Sequence, residues 1–512
     1  MLTRTIGAKC IGIDAAEVTV EVDICNGIGI HLVGLADVAV KESLLRTTTA
    51  LTSSGYRIPG KKIVINLAPA DMKKNGSGYD LPLAIGIIAS SGQADLPGIA
   101  SCMVMGELGL DGSVRHIPGA LVYAEYAAKK GFRGIILPVS AAMEAAETDG
   151  IKVYGVNSLK EAVGILGSEN GCGKFEVKRD SIAGKNAPRS KTTIDFSDIT
   201  GQESAKRGME IAAAGGHNII MIGPPGSGKT SLAKALVGIL PPMSREEAMV
   251  TGKIYSVAGM ASSSGGLEWR RPFRSPHYSA SMAAIIGGGS GGSVIPGEVS
   301  LACNGVLFLD EFGQIPHAVA EALRGPMEDR KVTISRMRSK IELPASFMLV
   351  AASNPCPCGY YGEGDRCTCS PYQRAAYMSR LSGPIMDRMD IQVRVRPVPP
   401  EELRGNRSGE TSSDIAARVI AAREMQARRF AGEGIMTNAE MTTAQVRSFC
   451  PLDNSCKILL GKLMEQQGLS MRAYFRIIKV ARTIADLEGS TVITQEHILE
   501  AASFRMLDRM TL

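Results

Sequence analysis

The stretch Ile219-Ile220-Met221-Ile222-Gly223-Pro224-Pro225-Gly226-Ser227-Gly228-Lys229-Thr230 decides the fold. Four apolar residues run into G-x-x-x-x-G-K-T, and SLAKALVGIL follows with helical character. Strand, glycine-rich loop and helix in that order make this a phosphate-binding loop rather than a chance turn. Its glycines, Gly223, Gly226 and Gly228, let backbone N–H groups turn onto phosphates, and the helix N-terminus adds its positive dipole end. Lys229 is placed to reach the β- and γ-phosphates, and the Thr230 hydroxyl to ligate Mg²⁺. The expected core is an α/β domain.

A carboxylate for that metal should come from another strand end. Gly305-Val306-Leu307-Phe308-Leu309-Asp310-Glu311 fits, because its apolar run suits a buried parallel strand. Ligands bind where such strands end. Asp310 would hold Mg²⁺, and Glu311 would act as general base on the attacking water. The next strand, Phe347 to Ser353, ends in Asn354, whose amide is placed to orient that water.

The rest of the chain is organised around this core. Its 512 residues suggest three domains. Hydrophobic residues at 45%, charged residues at 21% and a mean hydropathy of +0.05 are ordinary for a globular protein. The longest apolar run, Leu81 to Ser90, is about half the ~18 residues a membrane span needs, so no membrane partner is expected. The N-terminus has no continuous apolar segment of the secretory kind. Eleven cysteines, an odd number, then fit a reduced, cytoplasmic chain. A net charge of +6 is mild and permits a local basic surface.

Residues 1–166 alternate short strands with small-residue helices, as in TVEVDI (residues 19–24) and KIVINL (residues 62–67), which favours a separate α/β domain. Residues 167–193 lack apolar periodicity and read as a linker. The core spans 194–397, ending at Arg396-Pro397-Val398-Pro399-Pro400. Residues 398–512 then carry five helical segments, at 413–430, 443–449, 454–467, 472–488 and 495–504. Arg418, Arg423, Arg428 and Arg429 on the first of them read as an exposed face. Cys356, Cys358, Cys367 and Cys369 form C-x-C-x₈-C-x-C around a turn-rich segment, a set suited to tetrahedral Zn²⁺. Four reduced thiols, or an iron–sulfur cluster, are the alternatives.

With these elements in place, the chain resembles AAA+ ATPases of the magnesium-chelatase-like group, and within it the ComM/YifB family. The strings that carry the resemblance are RPFRSPHYSAS (271–281), PGEVSLACNGVLFLDEF (296–312), NPCPCGYYG (354–362), RLSGPIMDRMDI (380–391) and LSMRAYFRIIKVARTIADLEG (469–489). The resemblance implies ATP and Mg²⁺ as ligands, a C-terminal helical lid and a homo-hexameric ring. It makes Arg388 the arginine finger acting on a neighbour's nucleotide, with Arg380 in reserve. Arg472 resembles a sensor arginine coupling the lid to the γ-phosphate, and residues 198–202 (DITGQ) resemble an adenine-pocket segment. The N-terminal domain resembles the C-terminal domain of Lon protease, related in fold to a ribosomal S5 protein. Tyr79 and Tyr123 stand where that protease needs its serine and lysine, and Ser77 has no well-placed lysine, so proteolysis is not expected.

The resemblance also implies a DNA motor that promotes branch migration during recombination. Glu328 to Lys340 is a β-hairpin candidate whose Arg330, Lys331, Arg336, Arg338 and Lys340 suit a phosphate backbone. The insertion at 262–297, with Arg270, Arg271, Arg274 and His277, is a second candidate DNA loop. A metal-chelatase motor subunit and a Lon-like protease are the competing functions.

Overall fold

The computed structural model of the chain describes residues 2–34, 37–168, 173–179, 194–261, 266–289, 294–336, 339–380, 383–398 and 409–505. Most of the stretch read as a linker lies outside them.

A five-stranded sheet of parallel pairs forms the centre, in the order Phe273–Arg274, Val306–Leu309, Met348–Ser353, Ile219–Ile222, Ile391–Arg394. All but the short edge strand Phe273–Arg274 are buried almost throughout, which is why they read as unbroken apolar runs. Helices cover both faces, and the phosphate loop, Asp310 and Asn354 all leave the same end of the sheet. This is the AAA+ arrangement the resemblance implies.

The C-terminal helices run Ser412–Arg429, Thr443–Phe449, Asn454–Gln467, Met471–Leu487 and Gln495–Ser503. Four begin at a Thr, Asp or Ser whose side chain accepts the backbone N–H three residues on: Thr411, Thr442, Asp453 and Ser470. Their apolar faces join the core, with Val419, Ile477 and Ile484 in one cluster with Ile219 and Val350. A buried polar chain crosses the same seam. His217 Nδ1 lies 3.3 Å from Asp390 and its Nε2 lies 2.8 Å from Thr483 Oγ1. Asp390 is also paired with Arg476, and these partners hold its carboxyl far below the usual range despite burial.

Of the arginine face expected on the helix Ser412–Arg429, Arg423 and Arg429 turn inward, while Arg418 keeps 40% of its side chain exposed and pairs with Glu210 and Glu410. Arg423 donates to the Ala213 carbonyl at 2.9 Å, where Gln426 also meets Ala214, so the two satisfy orphan carbonyls at the end of the helix Glu203–Gly215. Arg429 pairs with buried Asp486. Arg428 remains exposed.

The N-terminal sheet has seven strands in the order Ile30–Val33, Lys62–Ala68, Asp14–Cys25, Thr3–Ile11, Cys102–Val104, Gly134–Pro138, Lys152–Val156, mixing antiparallel and parallel pairs. It sits on the core through Lys253–Glu125 (2.9 Å), Arg245–Asp149 (2.7 Å) and Ser256, which donates to buried Glu144 at 2.9 Å. Its first turn also reaches the core. A Cβ on Gly12, at φ 64°, would come within 3.0 Å of Ile341.

Candidate functional site

The loop between Ile222 and the helix Lys229–Leu236 takes positive φ at Gly226 (77°) and Gly228 (91°), the conformation that turns its amides inward. A pocket of about 480 Å³ opens there, lined by residues 225–231, Asp310, Glu311, Ser353 and Asn354. Three separate sequence elements thus meet at one cavity. Thr230 Oγ1 donates to Asp310 Oδ2 at 3.0 Å, which brings together the two groups expected on Mg²⁺. Lys229 Nζ donates to the Gly223 and Pro224 carbonyls, at 2.7 and 2.9 Å, and to Asn354 Oδ1 at 3.4 Å. Burial lowers the Lys229 pKa from its ordinary value, so an anion seated beside it would favour the charged form. These residues fit a nucleoside triphosphate with its metal.

Glu311 has φ 49°, a left-handed conformation that costs a side chain of this kind roughly 1–3 kcal/mol. Gln202, in the segment likened to an adenine pocket, is also left-handed and donates to the Arg396 carbonyl beside the loop.

The arginines are placed differently from the pocket residues. Arg388 has only 6% of its side chain exposed and pairs with Glu328, not with its sequence neighbours Asp387 or Asp390. Asp387 instead lies 3.7 Å from Arg472, whose side chain is 63% exposed. Arg380 is exposed at the end of the helix Pro371–Met378.

The four cysteines converge. Their sulfur atoms all lie within 4.8 Å of one another, with Cys356–Cys358 at 3.3 Å, Cys356–Cys367 at 3.8 Å and Cys358–Cys367 at 3.7 Å. A tetrahedral zinc with ~2.3 Å bonds spaces its sulfurs about 3.8 Å apart, so the set suits such an ion. Arg366 over Tyr360 (4.4 Å) and Arg374 over Tyr361 (4.5 Å) brace the loop. It abuts the phosphate loop, because a Cβ on Gly359 would stand 2.7 Å from Pro225.

The hairpin runs from Lys331–Arg336 to Ser339–Pro344, later than expected. Glu328 belongs to the helix Arg324–Asp329. Arg330 follows it in a left-handed turn (φ 56°) and donates to the Phe347 carbonyl at 3.5 Å, so it stands at the base of the hairpin. Val332 and Leu343 face inward, while Lys331, Lys340 and Glu342 are exposed. Glu342, just past the stretch first considered, pairs with Lys331 at 2.9 Å and lies 3.8 Å from Lys340. Arg336 closes the first strand; Arg338 lies outside the described residues. In the insertion, Arg271 binds Glu247 and Arg274 binds Glu298, so both tie the loop to the core.

In the N-terminal domain, Tyr79 and Tyr123 are buried, and burial holds both phenols protonated by raising their pKa values. Ser77 donates to Glu107, and Lys74 to the Pro69 carbonyl, so these two do not form a nucleophile–base pair.

No helix among the described residues is long and apolar enough to cross a membrane. Family models described as magnesium chelatase, subunit ChlI, match residues 195–403; subunit ChlI of Mg-chelatase, residues 20–141; and the ChlI C-terminal region, residues 409–505. The chain is 42% identical to the protein YifB of Salmonella typhimurium over 503 residues, 98% of this chain and 96% of that one. It is also 42% identical to the competence protein ComM of Haemophilus influenzae over 505 residues, with the same shares. A distant likeness, 22% over 341 residues, reaches the DNA replication licensing factor mcm6 of Dictyostelium discoideum, covering 61% of this chain and 34% of that one. Matched along nearly its whole length, and built around this phosphate-loop pocket, the chain belongs to the magnesium-chelatase-like AAA+ family, in the group of YifB and ComM.

Proposed function

We propose that the protein is an ATP-hydrolysing motor that assembles as a homo-hexameric ring, moves on DNA and promotes branch migration in homologous recombination. The observation that carries the DNA reading is the likeness to competence protein ComM, which covers 98% of the chain. ATP would lie on the loop 223–228 with Lys229 at its β- and γ-phosphates. Thr230 and Asp310 would hold Mg²⁺, which neutralises developing phosphate charge when bound. Glu311 takes the proton of the attacking water, and Asn354 orients that water. Arg388 acts on the neighbouring subunit's nucleotide after leaving Glu328, and Arg472 couples the helical lid to it.

DNA would run along the hairpin, with Lys331, Arg336, Arg338 and Lys340 on phosphates and Arg330 holding its base. Such contacts carry no sequence information, so binding should be largely sequence-independent. Log K should fall with log salt by roughly 0.7 per contact on single strands, and replacing Lys331 and Arg336 together should shallow the slope by about 1–1.5 units. An unchanged slope would make the hairpin a solvated surface. The family descriptions favour a second reading, a motor subunit for inserting a metal into a tetrapyrrole, and that motor would not respond to DNA.

The cysteine loop would hold Zn²⁺ on Cys356, Cys358, Cys367 and Cys369 and brace the phosphate loop through Gly359. We expect about one zinc per chain by elemental analysis, lost in Cys356→Ser/Cys367→Ser, with lower ATPase activity because a structural metal contributes folding free energy. Metal-free protein with full activity would leave four idle thiols.

A further inference from the structure

Tyr377 is buried on the helix Pro371–Met378, and its phenol oxygen stands at Ser353, beside the peptide of Asn354. The oxygen lies 3.3 Å from Ser353 Oγ, and Ser353 Oγ donates to the Asn354 carbonyl at 3.2 Å. With the phenol proton on Ser353 Oγ, the two hydroxyls form a chain that ends on the Asn354 carbonyl.

The same side chain rests on the turn after Glu311. A Cβ on Gly313 would come within 2.6 Å of the Tyr377 oxygen, so the close approach requires glycine there.

We propose that Tyr377 is a positioning residue for nucleotide hydrolysis: its hydroxyl fixes the Asn354 peptide, and its ring fixes the turn that aims Glu311. The proposal rests on the ATPase reading above. Losing the hydroxyl takes from Ser353 Oγ one of its two partners in a buried place, where such groups are expensive to abandon, and loosens its hold on the Asn354 carbonyl. A shift of about 1 Å in a reacting group can cost on the order of 10²-fold in rate. The effect should fall on turnover, because neither hydrogen bond reaches the loop that grips the phosphates.

Tyr377→Phe keeps the ring and removes only the hydroxyl. ATP affinity should stay within about twofold while kcat falls about tenfold or more. In an Asn354→Ala background the same change should add no more than about twofold, since both act through one group. Gly313→Ala should push the ring away and give the same split. Full kcat in Tyr377→Phe, or losses that multiply in the double variant, would overturn the proposal. The ¹³C shift of the Asn354 carbonyl without nucleotide separates this from failure of the ATPase reading. It should move in Tyr377→Phe, and an unchanged shift would overturn the positioning role even if the wild-type protein hydrolysed no ATP.

Discussion

Lys229→Ala is expected to abolish ATP binding, whereas Glu311→Gln is expected to bind ATP and leave it intact. The difference follows from geometry. Lys229 sits inside the loop, donating to two of its own carbonyls and to Asn354, so its ammonium is poised for exchange onto phosphate oxygens. Its removal takes away the one loop side chain that carries a positive charge. Glu311 is on the pocket wall contributed by another strand, in a backbone conformation of its own. The amide of Gln keeps its shape and cannot take a proton, so binding survives and turnover falls by about 10²–10⁴-fold. Nucleotide affinity measured by equilibrium binding, beside phosphate release, tells the two apart. Hydrolysis by Glu311→Gln at the wild-type rate would remove Glu311 from the general-base role.

The second large effect belongs to Arg388. A finger supplied by a neighbour is worth about 10³–10⁵ in rate, so an Arg388→Ala ring should bind ATP normally and be nearly inactive. In the isolated chain this guanidinium is held by Glu328, which directly precedes the hairpin through Asp329 and Arg330. Reaching a neighbour's nucleotide therefore requires it to exchange one carboxylate for a phosphate. Action across subunits has a distinctive signature. Lys229→Ala subunits lack a site but keep a finger, and Arg388→Ala subunits keep a site but lack a finger. Mixed rings should pair some intact sites with intact fingers and recover partial activity. Mixed rings that form and regain none would place Arg388 outside that role.

What was legible in the sequence is what its chemistry confines to consecutive residues. The phosphate loop must be contiguous for its amides to converge. Asp310-Glu311 and Asn354 each end an apolar run, and the C-terminal helices announce themselves by Ser, Thr or Asp caps. Partners distant along the chain were not legible. Tyr377 reaches Ser353 only because the cysteine loop folds back between them. Glu342 pairs with Lys331 and lies near Lys340 from the strand beyond the expected turn. The helix Ser412–Arg429 shows why charge is a poor guide to exposure. Its Arg423 is consumed by a carbonyl at the end of another helix, and no pattern within its own segment signals that demand. Arg388 likewise reads as a residue with acidic neighbours, yet it pairs with Glu328, on the helix Arg324–Asp329.

The central claim is that nucleotide hydrolysis in this pocket is coupled to DNA on the hairpin. The most direct measurement is the ATPase rate of the wild-type protein with and without single-stranded or forked DNA, beside Lys331→Ala/Arg336→Ala. The account predicts a rate that rises with DNA in the wild type and stays at the basal level in the double variant, since Lys229, Glu311 and Arg388 are untouched. A rate indifferent to DNA in both proteins would contradict it.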